Sequence, residues 1–150
     1  MYQTLMNFTT EELVDESMGH QNFTQKTISE KNLYGAIIMT LSTFTYSLTG
    51  KYCLKAMMPF CTEGLTSDDW KAQNTALVLI GVLSENTKKH FKDDLEQTMN
   101  MVLPYLNSSN SKVRYSCLTC LGLMCEEYTP EIQIKFGKQI LDSLLNLMTN

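Results

Sequence analysis

The sequence predicts an all-α solenoid of antiparallel helix pairs, on three observations. Apolar residues recur at helical spacing through most of the chain, Gly and Pro punctuation is sparse, and the chain superposes on itself at an offset of 41 positions. No run reads as a strand.

Taken in order, the segments with helical periodicity are 9–18, 29–48, 51–64, 68–88, 91–107, 111–128 and 130–148. The first opens with Thr9-x-x-Glu12, which fits a capping box. The segment from 68 is preceded by Asp68 and Asp69, whose carboxylates suit the unpaired N–H groups of a helix start. Thr129-Pro130 predicts an N-cap followed by a first helical residue whose missing N–H costs nothing.

The 41-residue offset relates both members of each helix pair. Along the second helices it lays Leu77 on Leu118, Ile80 on Leu121, Gly81 on Gly122, Leu83 on Met124 and Glu85 on Glu126. Along the first helices it lays Leu54 on Leu95 and Phe136, Met58 on Met99 and Ile140, and Leu65 on Leu106 and Leu147. A two-helix unit of about 40 residues cannot bury its apolar face alone, and this period marks HEAT or armadillo stacks. Residues 29–150 are therefore read as about three HEAT repeats, truncated at the C-terminal end, with 29–48 as the second helix of the earliest unit. Residues 1–28 carry Glu11, Glu12, Asp15 and Glu16 and only a thin apolar stripe of Leu13, Val14 and Met18. They are read as a divergent, partly flexible, weakly acidic segment.

At 150 residues and 43% hydrophobic content the chain has enough material for a core without disulfides. Its five cysteines lie in apolar runs and read as small buried hydrophobes of a reducing compartment. Cys117-x-x-Cys120 has no second ligand pair, and His20 and His90 are isolated, so no metal site and no cofactor is expected. The formal charge of −4 offers no footprint for nucleic acid and suits a basic protein partner. The longest apolar run, 76–83, is too short for membrane insertion. No nucleophile elbow or complete phosphate loop occurs, and neither histidine has an acid–base partner, which argues against an enzyme.

The run Ser47-Leu48-Thr49-Gly50-Lys51-Tyr52, then Asp69-Trp70-Lys71 and Ala76-Leu77-Val78-Leu79-Ile80-Gly81, resembles the central repeats of the importin β (karyopherin β) family of nuclear import receptors. Ser111-Lys112-Val113-Arg114-Tyr115-Ser116-Cys117 continues the likeness in register, which covers about residues 33–148 and is closest to the importin five, or karyopherin β three, type. The resemblance implies shuttling between cytoplasm and nucleus through the nuclear pore. It also implies carriage of cargo with basic localisation signals, release by Ran-GTP, and contact with nuclear pore proteins. HEAT architecture alone fits equally a scaffold subunit of a phosphatase, a ubiquitin ligase or a chromosome-organising complex.

Second helices line the concave face of a HEAT superhelix, so Glu85 and Glu126, one period apart near the ends of two such helices, are expected to form a carboxylate ladder, with Asn86 and Glu127 beside them. In the resembled family, acidic and amide side chains at this end receive lysines of the localisation signal, which makes Glu85, Asn86, Glu126 and Glu127 the expected cargo-binding residues. Trp70, just after a cap and next to the inter-repeat turn, is expected to pack between units. Arg114, early in a second helix, is expected to tie adjacent repeats together through an Asp or Asn. Gly81 and Gly122 are read as structural.

Overall fold

The computed structural model describes residues 33–47 and 50–149, all helix or turn. The predicted helix over 9–18 and its capping box lie outside the described residues. The elements are α1 (Leu33–Ser47), α2 (Gly50–Thr66), α3 (Trp70–Asn86), α4 (Lys88–Phe91), α5 (Leu95–Val102), α6 (Ser111–Glu127) and α7 (Glu131–Thr149). One 3₁₀ turn, Lys92–Asp94, joins α4 to α5, and a second, Leu103–Asn107, follows α5. The predicted segment 91–107 is thus a succession of short pieces. One cause is Pro104 near the start of the second 3₁₀ turn, since proline has no N–H to donate and its ring crowds the preceding turn.

The helices form the two layers that the period predicts. The second helices α1, α3 and α6 stack in sequence, and α2 packs on α3 as the first helix of the same unit. The aligned first-helix positions Leu54, Leu95 and Phe136 are all buried, as are the second-helix pairs Ile80 with Leu121 and Leu83 with Met124. One apolar core runs through these units, with Phe91, Leu106 and Ile132 fully enclosed.

Caps fix the helix starts. Asp69 accepts a hydrogen bond from the Lys71 N–H at 3.0 Å, as the sequence predicts for that boundary, and Asn110 does the same for α6 through Lys112 N–H at 2.9 Å. Thr129 departs from the N-cap expectation. Its hydroxyl donates backwards to the Cys125 carbonyl at 2.6 Å, closing the end of α6, and α7 begins one residue after Pro130. A threonine at the close of one helix finds unpaired carbonyls as readily as unpaired N–H groups, and here the carbonyl wins.

Polar latches also cross between units. The Tyr128 hydroxyl donates to the Ser84 carbonyl at 2.9 Å, the Tyr105 hydroxyl to the Leu65 carbonyl, and the Ser116 hydroxyl to Asn74 Oδ1 at 2.5 Å. Each serves a backbone or amide group that the interior would otherwise strand.

The glycine pair is equivalent by period and unequal in surroundings. A Cβ at Gly81 would stand 3.1 Å from Leu123 Cδ1 and 3.5 Å from Cys120 Cα, so this glycine lets α3 and α6 approach closely. A Cβ at Gly122 would meet nothing within 4 Å. Gly122→Ala is therefore expected to stabilise the chain by about 0.5–1 kcal/mol through helix propensity, whereas Gly81→Ala gains less because Leu123 must shift. Parallel urea titrations of the two variants check the difference.

Candidate functional site

The C-terminal turns of α3 and α6 lie side by side and bring three carboxylates together. Glu85 and Asn86 close α3, while Glu126 and Glu127 close α6. A helix C-terminus carries a partial negative charge and ordinarily attracts Lys, Arg or His. Neither of these last turns holds a basic residue. Acids in this position repel both the helix dipole and each other, a local cost that an external cation would relieve.

Glu85 registers that cost. Its carboxyl is pushed above the ordinary glutamate range, first by partial loss of water around it and then by the negative charges of Glu127 and Glu126. Glu85 and Glu126 keep their exposure to solvent, so a ligand has access to both. Asn86 lies at the same end, yet its side-chain N–H already donates to the Val82 carbonyl at 3.0 Å, which leaves its Oδ1 as the free group.

Among the described residues, Lys88 makes a salt bridge to the cluster. Lys88 Nζ lies 3.6 Å from Glu127 Oε2, a loose and largely exposed contact. The sequence reading did not place Lys88 here. The 41-residue offset aligns equivalent positions of successive units, whereas Lys88 and Glu127, 39 apart, are the start of a first helix and the end of the second helix that follows it.

The other singled-out residues sit away from this cluster. Trp70 is half-buried against the core at the start of α3, and the Lys112 ammonium of the next unit lies 5.3 Å from its ring centroid. Arg114 does not bond an Asp or Asn. Its guanidinium donates to the Ser108 and Ser109 carbonyls at 2.7 and 3.1 Å, bracing the turn that leads into α6. Those carbonyls precede the N-cap and have no helical partners, which makes them the nearer acceptors for a planar fork of N–H donors.

No group of three or more His, Cys, Asp or Glu among the described residues is arranged to hold a metal ion. Among the same residues, no helix is long and apolar enough to cross a membrane. Burial pushes the Cys61 and Cys117 thiols up to about 12, so neither is a ready nucleophile.

Comparison with known proteins bears on the fold. A HEAT repeat model matches residues 99–128, from within α5 to just beyond α6. The chain is 22% identical over 121 residues to importin subunit beta-3 of Saccharomyces cerevisiae, covering 81% of this chain and 11% of that protein. The resemblance is to the importin β family. This chain spans about a tenth of the length of that curated relative.

Among solved structures, the karyopherin Kap121p bound to RanGTP superposes with a TM-score of 0.77 at 20% identity, covering 97% of this chain and 14% of that one. At this identity the likeness establishes the fold alone, a HEAT-repeat solenoid. The same receptor has been solved bound to Pho4p and to Nup53p. A Kap121p variant in which two Asp and one Glu, at intervals of just over forty residues, are replaced by lysine matches with a TM-score of 0.77 at 19% identity, covering 97% of this chain and 14% of that one.

Proposed function

We propose that this chain forms part of a nuclear transport receptor and takes lysines of basic localisation signals on the carboxylates of Glu85, Glu126 and Glu127. The observation that carries the reading is the convergence of these three acids at the C-terminal turns of adjacent second helices, with the Glu85 carboxyl pushed up first by partial loss of water and then by its neighbours' charge. The Kap121p variant supports it indirectly, because its substituted acids recur at nearly the spacing that separates Glu85 from Glu126. The Asn86 carbonyl oxygen supplies a neutral acceptor beside them.

The receptor shuttles between cytoplasm and nucleus on this reading, meets nuclear pore proteins, and is regulated by Ran-GTP. The complexes of Kap121p with RanGTP, Pho4p and Nup53p support that partner set by analogy. Catalysis has no place in it.

An exposed Lys–Glu contact contributes only about 0.2–1 kcal/mol, so three carboxylates give weak binding, with a Kd in the range of roughly several millimolar or weaker for the chain alone. Titrating the chain with a fluorescent lysine-rich peptide tests the proposal. Binding that disappears between low and high salt is expected, whereas salt-independent binding or none removes the proposed site.

The direction of the Glu85 shift sets the pH dependence. Its carboxyl holds a proton more tightly in the folded chain than in the unfolded one, so the stability it contributes is present at low pH and lost as pH rises through its raised pKa. Peptide binding needs the charged form. Affinity should therefore fall on acidification while the pH is still above the ordinary glutamate range, and Glu85→Gln should flatten that fall. Peptide titrations of both proteins across mildly acidic pH provide the check.

A further inference from the structure

We propose that six charges at the joint between the last two units, Glu127 of the acidic cluster among them, form a salt-sensitive seam that sets how firmly the start of α7 is docked. Lys88, Lys92 and Glu96 follow one another at four-residue steps along α4, the 3₁₀ turn and α5. Glu127, Glu131 and Lys135 do the same from the end of α6 into α7. Across the joint they pair as Lys88 with Glu127 at 3.6 Å, Lys92 with Glu131, and Lys135 with Glu96 at 3.0 Å. All three pairs join residues 39 apart, so the contacts are the rungs of a single register.

The sign pattern favours that register over its neighbours. Plus-plus-minus faces minus-minus-plus, and a slip of one helical turn in either direction cuts three opposite-charge pairs to one and adds a like-charge pair, Lys92 with Lys135 or Glu96 with Glu131. Within the central four, Lys92, Glu96, Glu131 and Lys135, each charge also has an opposite one four residues away on its own segment. That makes a network of alternating charges, the arrangement in which exposed ion pairs act together.

The seam has influence because apolar packing leaves it room. Only Ile132 and Phe136 of α7 are buried, and Leu141, Leu145 and Met148 further along the helix stand exposed. Between the charged edges lies a cleft of about 240 Å³, lined by Leu95 and Phe136 with the four central charges and Asp93 around it. Ile132 and Phe136 anchor the beginning of α7, where the charges also lie, and Ile140 and Leu147 pack half-buried on the core further along, so screening by salt acts on the docking of the first turns.

The test is backbone amide hydrogen exchange in the full chain, read over residues 131–140 against the α3–α6 pairing as an internal reference. Raising salt from about 0.01 to about 1 M shortens the screening length from about 30 to about 3 Å. The expected result is a rise in α7 exchange of roughly tenfold, the combined effect of a few exposed pairs, with α3 and α6 unchanged.

Reversing one edge, with Lys88→Glu, Lys92→Glu and Glu96→Lys, should produce a similar rise at low salt. Adding Glu127→Lys, Glu131→Lys and Lys135→Glu should restore protection. Exchange over α7 that ignores salt and the single-edge reversal overturns the proposal, and so does a six-charge variant that fails to recover.

Discussion

Phe91→Ala is expected to lower the unfolding free energy by about 3–5 kcal/mol, the range for truncating a fully enclosed aromatic side chain. Phe91 has no solvent exposure, and its ring lies 5.7 Å from that of Tyr128 at a tilt of 31°. Alanine would remove this contact and leave a cavity under α4, at the joint where one unit hands over to the next. The Phe91 N–H bonds to the Thr87 carbonyl at 3.0 Å, so the backbone around the cavity is held in place and has little freedom to collapse into it. Domains of this size are stable by only about 5–15 kcal/mol, which makes the loss a large fraction of the whole. Urea denaturation monitored by circular dichroism measures it. A loss under about 1 kcal/mol would mean that the two units do not depend on this contact.

The second large effect is on binding. Glu85→Lys with Glu126→Lys should weaken a lysine-rich peptide by about 1–4 kcal/mol, roughly fivefold to several-hundredfold, since each reversal removes an attraction and adds a repulsion of similar size. The fold should survive, because Glu85 is exposed and already burdened by the charges of Glu127 and Glu126. A lysine at position 85 turns that repulsion into attraction. Loss of binding with an unchanged unfolding midpoint therefore reports on the site, and unchanged binding would separate these acids from cargo recognition. The salt dependence should weaken in parallel, as fewer charge pairs remain to be screened.

Much of this architecture was legible in the sequence because burial repeats with the period. Leu54, Leu95 and Phe136 share an offset and share an interior position, and the same offset carries Glu85 onto Glu126 at matching helix ends. Periodicity reports what every unit has in common. It is silent on what differs between them, and the departures arise there.

Leu77 is fully enclosed, whereas its counterpart Leu118 is 38% exposed, and Gly81 and Gly122 differ in the same way. The breaking of 91–107 into short pieces reflects local chemistry at one proline, a signal present in the sequence but outweighed there by the apolar pattern. Thr129 and Arg114 found nearer partners than those expected, in each case backbone carbonyls left without helical donors. Lys88 was hidden for a geometric reason, since the 41-residue offset aligns equivalent positions, whereas Lys88 and Glu127, 39 apart, stand at opposite ends of two different helices. A search for complementary charges at the shorter offset would have found the whole seam.

The central claim is that cargo lysines meet the chain at the ends of α3 and α6. The most direct measurement is the shift of backbone amide resonances in the isotopically labelled chain as a lysine-rich peptide is added at low salt. The account predicts perturbations concentrated at residues 84–88 and 124–128, absent in the Glu85→Lys, Glu126→Lys variant. Perturbations gathered instead along α2, α5 or α7, or persisting in the variant, would contradict it.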